Sequence, residues 1–323
     1  MSNRICKILG IEKPVIQGAM VWLTDAKLVA AVGNAGGMGV LGPNAGQTVV
    51  TRDAEGTAEN MRTEIRKVHE LTDAPFAVNV LPTQGREDIY TPPMLKVIYE
   101  EKVPAVVFVG EPDETMFAEL KEHGVKIIYR SLNPSPANAR EAEQYGADII
   151  VATGFDEGGT LPDMTLGTFS IVPLIVDAVD HVPVMAAGGI ADHRAFDAAL
   201  ALGAEGVYCG TAFLMSEESR MAANVKEAVL KANAKDLLLF RTIPAYYRSL
   251  PGELANELVA MDKAGATNEE LGRKMGGFAN LRIGMLEGDM DKGYVSVGNG
   301  ISHIHEIKSC ADIVAELTRN WQG

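Results

Sequence analysis

Eight short apolar runs, separated by stretches with the pattern of amphipathic helices, limit the folds open to this chain more than any other feature. The runs are Pro14–Ala19, Gly37–Gly42, Phe76–Leu81, Ala105–Gly110, Lys126–Ser131, Asp148–Gly154, Val182–Gly189 and Gly206–Thr211. Most are continuously apolar rather than alternating, which is typical of parallel strands buried on both faces. Eight such units predict an α/β fold, a TIM (β/α)8 barrel. An open doubly wound sheet is the alternative, but no GxGxxG motif follows the first strand to support it.

The pattern changes after Thr211. Segments Ser216–Ala234 and Pro251–Met275 are rich in Ala, Leu, Glu and Lys and predict helices, whereas residues 288–300 are punctuated by glycine. We therefore expect three parts along the chain. Residues 1–219 form the barrel, residues 220–287 form a small helical cap domain, and residues 288–323 return over the barrel mouth and end in a closing helix.

The net charge of −14 argues against nucleic acid and anionic membrane surfaces as partners. No apolar run reaches the length of about 18 residues that crosses a bilayer, and the N-terminus lacks the apolar region of a signal peptide. The three cysteines show neither disulfide nor metal-ligand spacing. We expect a cytoplasmic protein without a metal site.

One stretch departs from this acidity. Between Arg220 and Arg248 there are six basic residues and two acidic ones, a local charge of +4. The basic residues are Arg220, Lys226, Lys231, Lys235, Arg241 and Arg248. They form either a solvated helix face or a docking patch for an anionic substrate, cofactor or acyl carrier protein.

Two of the predicted strands end in glycine, one at Gly188-Gly189 and the next at Gly210-Thr211. Glycine lets backbone N–H groups approach an anion without a Cβ in the way. In a (β/α)8 barrel the loops after the last two strands often bind phosphate. These four residues therefore predict a site for a phosphorylated ligand, although glycine at two turns is also explained by backbone geometry alone.

The other strand ends carry mostly small or neutral residues, such as Gly18, Ala19 and Asn79. We find no carboxylate pair at matching strand ends and no Ser/His/Asp set, so hydrolysis is not indicated. A floor of this kind suits a planar redox cofactor, because glycine allows a ring to lie on the backbone and an amide can hydrogen-bond ring heteroatoms. Asn79 alone is equally explained as a residue that caps a turn.

Seven motifs in order resemble nitronate monooxygenase and its relative, the flavin-dependent enoyl-acyl-carrier-protein reductase II. They are Pro14-Val-Ile-Gln-Gly-Ala-Met20, Ala35-Gly-Gly-Met-Gly-Val-Leu41, Phe76-Ala-Val-Asn79, Gly146-Ala-Asp148, Glu157-Gly-Gly159, Ala186-Ala-Gly-Gly-Ile-Ala-Asp192 and Gly210-Thr-Ala-Phe213. The resemblance covers nearly the whole chain. It implies a TIM barrel that binds FMN non-covalently, with a helical second domain over the flavin.

The resemblance also implies roles for single residues. Gly18, Ala19 and Met20 would run beside the isoalloxazine ring, and Asn79 would bond the flavin. Gly158 and Gly159 would flank the ribityl chain. The phosphate would lie at Gly188, Gly189, Gly210 and Thr211, in agreement with the barrel argument.

The chain departs from the family pattern at its catalytic position. The family usually has a histidine directly after the glycine loop, and here that position is Thr160. A threonine hydroxyl can hydrogen-bond a substrate oxygen, but it cannot act as a base near neutral pH. Thr160 is the candidate catalytic residue. Tyr246, Tyr247, His303 and His305 are further candidates for proton transfer, although the tyrosines are better explained by packing between domains and the histidines as surface residues.

We therefore expect an FMN-dependent oxidoreductase that acts on a small-molecule or acyl-thioester substrate. Nitronate oxidation, NAD(P)H-dependent reduction of an enoyl thioester and NAD(P)H:quinone reduction all remain open. A flavin-binding protein without catalysis and a barrel isomerase or aldolase without flavin are alternatives from other classes. A homodimer is one of the assemblies left open.

Overall fold

The computed structural model describes residues 3–83 and 87–323. Its strands are β1 (Val15–Gln17), β2 (Val40–Leu41), β3 (Ala77–Val80), β4 (Ala105–Val109), β5 (Lys126–Arg130), β6 (Ile149–Thr153), β7 (Gly159–Leu161), β8 (Val184–Ala187), β9 (Gly206–Cys209), β10 (Leu238–Arg241) and β11 (Tyr246–Ser249). Eight of them form one parallel sheet in the order β1-β9-β8-β6-β5-β4-β3-β2. A parallel bridge between Ile16 and Met38 joins its two edges. Each of the eight predicted runs contains one of these strands, so the TIM barrel is confirmed.

The helices are α1 (Arg4–Leu9), α2 (Ala26–Asn34), α3 (Ala54–Leu71), α4 (Thr91–Glu100), α5 (Glu114–Glu122), α6 (Pro136–Tyr145), α7 (Thr168–Val176), α8 (His193–Ala201), α9 (Thr211–Leu214), α10 (Ala223–Lys231), α11 (Glu253–Lys263), α12 (Asn268–Met275), α13 (Gly277–Leu281) and α14 (Cys310–Leu317). Short 3-10 turns cover Ala234–Asp236 and Asn299–His303, and a π-helical turn covers Arg282–Leu286. No helix within the described residues is both long enough and apolar enough to cross a membrane.

Aspartates fix where several barrel helices begin. The carboxylates of Asp25, Asp53, Asp113 and Asp192 each accept a hydrogen bond from the backbone N–H group three residues later. Such caps satisfy N–H groups that have no partner inside the helix, and each contributes about 1 kcal/mol. The four caps therefore set the N-termini of α2, α3, α5 and α8.

The barrel strands divide the core into two layers. Successive residues of a strand point to opposite faces, so Val106 packs in the layer between strands and helices while Val107 packs inside the barrel. Both side chains are fully buried. This burial on both faces explains the continuous apolar runs in the sequence.

The segment 220–287 is mostly helical, and it also contains a hairpin that the sequence patterns did not predict. Strands β10 and β11 pair antiparallel, and β11 also pairs with β7, which lies in the connection between β6 and α7. The predicted helix Ser216–Ala234 is shorter, and the predicted helix Pro251–Met275 is two helices, α11 and α12. The boundaries of the three predicted parts remain a prediction.

Candidate active site

A cavity of about 560 Å³ lies at the carboxyl ends of the barrel strands, under the segment that follows the barrel. A volume of this size is within the range of small-molecule and cofactor sites. All eleven residues predicted from the sequence line it: Gly18, Ala19, Met20, Asn79, Gly158, Gly159, Thr160, Gly188, Gly189, Gly210 and Thr211. The structure thus brings the whole predicted set together.

One wall of the cavity is a group of backbone N–H donors. Gly188 and Gly189 adopt left-handed φ values of 101° and 73°, which favour glycine. Within the described residues, the N–H groups of Gly188, Gly189, Gly210 and Thr211 donate to no protein acceptor. A Cβ built on Gly210 would meet no atom within 4 Å. Unpaired N–H groups beside open space are the donor set that a phosphate requires, so the residues present fit one.

The end of β1 is held rigidly at the floor of the cavity. The Ala19 N–H donates to the Tyr208 hydroxyl at 2.9 Å, and the buried Gln17 amide oxygen accepts from the Val40 N–H at 3.1 Å. A Cβ on Gly18 would lie 2.6 Å from the Tyr208 ring. Glycine is therefore required here by the close approach of Tyr208.

Thr160 and Tyr247 are directly opposite each other in the pairing of β7 with β11. Both line the cavity, and the Tyr247 hydroxyl is hydrogen-bonded to the Ser296 hydroxyl. Burial raises the pKa of the Tyr247 hydroxyl, so the group stays protonated at neutral pH. Tyr246 points elsewhere, with its ring edge-on to Phe155 at 5.7 Å.

None of the six histidines, all of which lie in the described part of the chain, lines the cavity. His303 and His305, the two that sequence position left open, are exposed. The His303 ring is 3.3 Å from the Arg194 guanidinium on the outside of the barrel. The hypothesis that either histidine reaches the cavity is therefore wrong in this structure.

The cavity also contains an ion pair that was not predicted from the sequence. The Arg130 guanidinium, at the end of β5, lies 2.5 Å from a Glu157 carboxylate oxygen, and each side chain is only 15% exposed. Among the described residues that line the cavity, Arg130 is the only cation and Glu157 is the only anion. The sequence did contain a signal for this pair. Arg130 ends β5 and Glu157 follows the neighbouring strand β6, and the carboxyl ends of neighbouring parallel strands meet at one edge of the sheet.

Most of the basic stretch is already bound to other parts of the protein. Arg248 is 7% exposed, and its guanidinium donates to the carbonyls of Phe155, at 2.6 Å, and Glu157. Lys226 is buried against the carbonyls of Ser216 and Ser219. These two side chains cannot contribute to a docking surface.

Two more basic residues of the stretch have internal partners. Arg241 is paired with Asp262, and Arg220 donates to the Trp22 carbonyl. Lys231 and Lys235 are exposed, and the Arg241 side chain is 40% exposed within its pair with Asp262. The stretch thus gives no support to docking of an acidic carrier protein.

Apolar side chains from the region after the barrel form a second wall of the cavity. They include Ile243, Met275, Phe278, Leu281 and Met285. Ile243 and Phe278 are also about half exposed, so they stand where the cavity opens to solvent. The cavity thus has N–H donors at one side and an apolar entrance at the other.

Comparison with known proteins gives one family. A family model described as "Nitronate monooxygenase" matches residues 2–320. A "Probable nitronate monooxygenase" of Staphylococcus saprophyticus is 32% identical and aligns over 75% of this chain and 76% of its own length. A Rhodococcus jostii protein named "(3aS,4S,5R,7aS)-5-hydroxy-7a-methyl-1-oxo-octahydro-1H-indene-4-carboxyl-CoA dehydrogenase" is 30% identical over 97% of this chain and 94% of its own. The solved structure of FabK from Thermotoga maritima has a TM-score of 0.86 and 32% identity, and the match covers 99% of this chain and 96% of that one.

Proposed function

Because the chain belongs to the nitronate monooxygenase family, we propose that it uses FMN to oxidise or reduce the carbon–carbon bond next to the carbonyl of an apolar acyl thioester. The family makes the chain an oxidoreductase of the flavoprotein class. The choice of FMN, of a thioester and of NAD(P)H as reductant belongs to the proposal.

The make-up of the cavity is the observation that carries this proposal. Backbone N–H groups at Gly188, Gly189, Gly210 and Thr211 suit a phosphate, while the apolar residues around Phe278 suit an acyl chain. A phosphorylated cofactor and an apolar substrate can then meet between the two walls. The R. jostii relative, which is similar over nearly its whole length, is named for a carboxyl-CoA, itself an acyl thioester.

Each part of the cavity would have a separate task. The glycine N–H groups would hold the FMN phosphate, and Gly18 to Met20, Asn79, Gly158 and Gly159 would surround the rest of the cofactor. When bound, the flavin supplies hydride transfer. The apolar wall would hold the acyl chain and exclude water, and the hydroxyls of Thr160 and Tyr247 would donate hydrogen bonds to the thioester oxygen.

Nitronate oxidation is the second candidate, and the family description favours it. The absence of an imidazole from the cavity wall, within the described residues, weighs against a mechanism that relies on a histidine base. Quinone reduction would need the least specific chemistry from the protein, and the same experiment tests it.

Anaerobic flavin spectroscopy distinguishes these functions. The enzyme is reduced with NADH or NADPH and then mixed with a trans-2-enoyl-CoA, a quinone or oxygen, while the oxidised enzyme is mixed with a saturated acyl-CoA or a nitronate. We expect the enoyl-CoA to reoxidise the flavin faster than the quinone does. Bleaching by the nitronate alone, with no response to any thioester, would replace the proposal with its second candidate.

Replacing Thr160 by alanine is expected to have a small effect. If its hydroxyl only orients the substrate, Thr160→Ala removes about one hydrogen bond, roughly 0.5–1.5 kcal/mol in kcat/KM, with the flavin still bound. Steady-state kinetics on the best substrate measure the change. A loss of several orders of magnitude would give Thr160 a direct part in the chemistry.

A further inference from the structure

We propose that Glu157 is the proton-transferring residue of this cavity and that Arg130 positions its carboxylate. The proposal rests on the proposed function, because it concerns a substrate with an acidic C–H bond. Among the described residues that line the cavity, Glu157 is the one that carries a carboxylate. The family usually has a histidine for proton transfer in its active site.

Three contacts hold Glu157 in place. Its carboxylate is paired with Arg130 at 2.5 Å, its N–H donates to the Gly154 carbonyl at 3.1 Å, and its carbonyl accepts from Arg248. Backbone and side chain are therefore both fixed. A proton-transferring group must be held in this way, because transfer depends on a short and constant donor–acceptor distance.

The other polar groups of the cavity cannot accept a proton near neutral pH. Burial raises the pKa of the Tyr208 and Tyr247 hydroxyls, and it raises the pKa of the Cys209 thiol to about 12, so all three stay protonated. The remaining uncharged polar side chains of the lining are one further tyrosine, three threonines, a serine and the Asn79 amide, and none of these acts as a base near neutral pH. Glu157 is what remains.

The charges around Glu157 come from several elements. Arg130 on β5 and Arg248 on β11 are cations, Tyr208 on β9 is neutral, and Asp156 is the adjacent carboxylate in the chain. Burial raises the pKa of the Glu157 carboxyl, and the two arginines oppose this. The carboxylate is therefore a stronger base than that of a solvated glutamate, which favours acceptance of a proton.

In the oxidising direction the substrate loses a proton and a hydride. The bond from the α-carbon to one hydrogen breaks, its proton passes to a Glu157 oxygen, and the electron pair stays on carbon. A flavin held in the cavity would supply the oxidant: it would accept the hydride that the β-carbon loses as the carbon–carbon double bond forms. In the reducing direction the same proton returns from Glu157 to the α-carbon.

The test is Glu157→Gln, which keeps the size of the side chain and removes its charge. Oxidised enzyme is incubated in D₂O with hexanoyl-CoA or with nitroethane, and deuterium at the α-carbon is followed by mass spectrometry after correction for the uncatalysed rate. We expect exchange to fall about 10²–10⁴-fold, as for loss of a general base, with flavin content unchanged. Glu111→Gln, an exposed residue at the end of β4, is the matched control and should exchange normally.

A second variant separates catalysis from folding, because Glu157→Gln leaves Arg130 buried without its partner. The double variant Arg130→Met/Glu157→Gln removes both charges, so it should recover the thermal stability that Glu157→Gln loses, and it should also keep its flavin. It should still fail to exchange the α-hydrogen. Exchange at the wild-type rate in either variant would overturn the role of Glu157.

The two probes keep this proposal distinct from the function proposed above. Exchange that depends on Glu157 with nitroethane, but is absent with hexanoyl-CoA, would retain Glu157 and remove the thioester. Turnover of a thioester by Glu157→Gln at the wild-type rate would retain the thioester as substrate and remove the role of Glu157. If the wild-type enzyme exchanges neither carbon acid, the assignment of Glu157 falls.

Discussion

Gly210→Val is expected to purify without its flavin. Gly210 has an ordinary φ of −97°, and a Cβ there would meet no protein atom within 4 Å. The valine side chain should therefore fit the fold and occupy the space beside the N–H groups of Gly188, Gly189 and Thr211. The FMN phosphate would lose both room and donors.

The measurement is the flavin-to-protein absorbance ratio after purification, followed by titration of the apoprotein with FMN. Gly272→Val on α12 is the matched control, because Gly272 lines the same cavity at the apolar wall and its Cβ would be in ordinary contact, 3.6 Å from Thr242. We expect the control to keep its flavin. If Gly210→Val binds FMN with unchanged affinity, the phosphate site does not lie at these strand ends.

Gly189 is the less informative position, although the sequence points to it equally. Its φ of 73° strains any other residue, and its Cβ would lie 3.1 Å from the Asp156 Cβ. Loss of flavin in a Gly189 variant would then report backbone damage as much as loss of the phosphate site. Gly210 separates these two effects.

Arg248→Met is expected to lower the free energy of unfolding by about 2–5 kcal/mol. The guanidinium satisfies the Phe155 and Glu157 carbonyls in a buried place, and each buried acceptor left without a donor costs about 1–3 kcal/mol. Burial lowers the pKa of Arg248, and the nearby carboxylates of Asp156 and Glu157 oppose this. Urea denaturation measures the change.

Arg241→Met is the control in the same hairpin. Arg241 is 40% exposed on its side chain and paired with Asp262, and such pairs contribute about 0–1 kcal/mol. Equal losses in the two variants would mean that Arg248 is an ordinary surface charge. A larger loss of stability in Arg248→Met, together with weaker flavin binding, would show that the hairpin holds the residues around Glu157 in place.

Local patterns predict the barrel because its strands repeat one arrangement eight times. Val106 and Val107 are buried on opposite faces, so the run around them is apolar throughout and cannot be read as a half-exposed strand. The glycines at Gly188 and Gly210 were also predictable, because their role depends on the strand they follow. The other predicted site residues that line the cavity, such as Gly158, Gly159 and Thr160, were indicated by the family resemblance.

Features that depend on distant partners were not predicted. Strand β11 owes its place to β7, which lies far earlier in the chain, so a short run around Tyr247 carries no local signal of its pairing. Counting charges placed Arg248 in a basic patch, whereas its hydrogen-bond partners are two backbone carbonyls. To predict the Arg130–Glu157 pair, one needs the order of the strands in the sheet as well as the residue types.

Strand β7 also constrains the order in which the protein can fold during synthesis. It leaves the ribosome before β8 and β9, yet its partner β11 is made only after the parallel sheet is complete. Until then the hydrogen-bonding edge of β7 is open to other chains. Truncation anywhere between β9 and β11 would therefore leave β7 without its partner strand, and the small three-stranded sheet could not form.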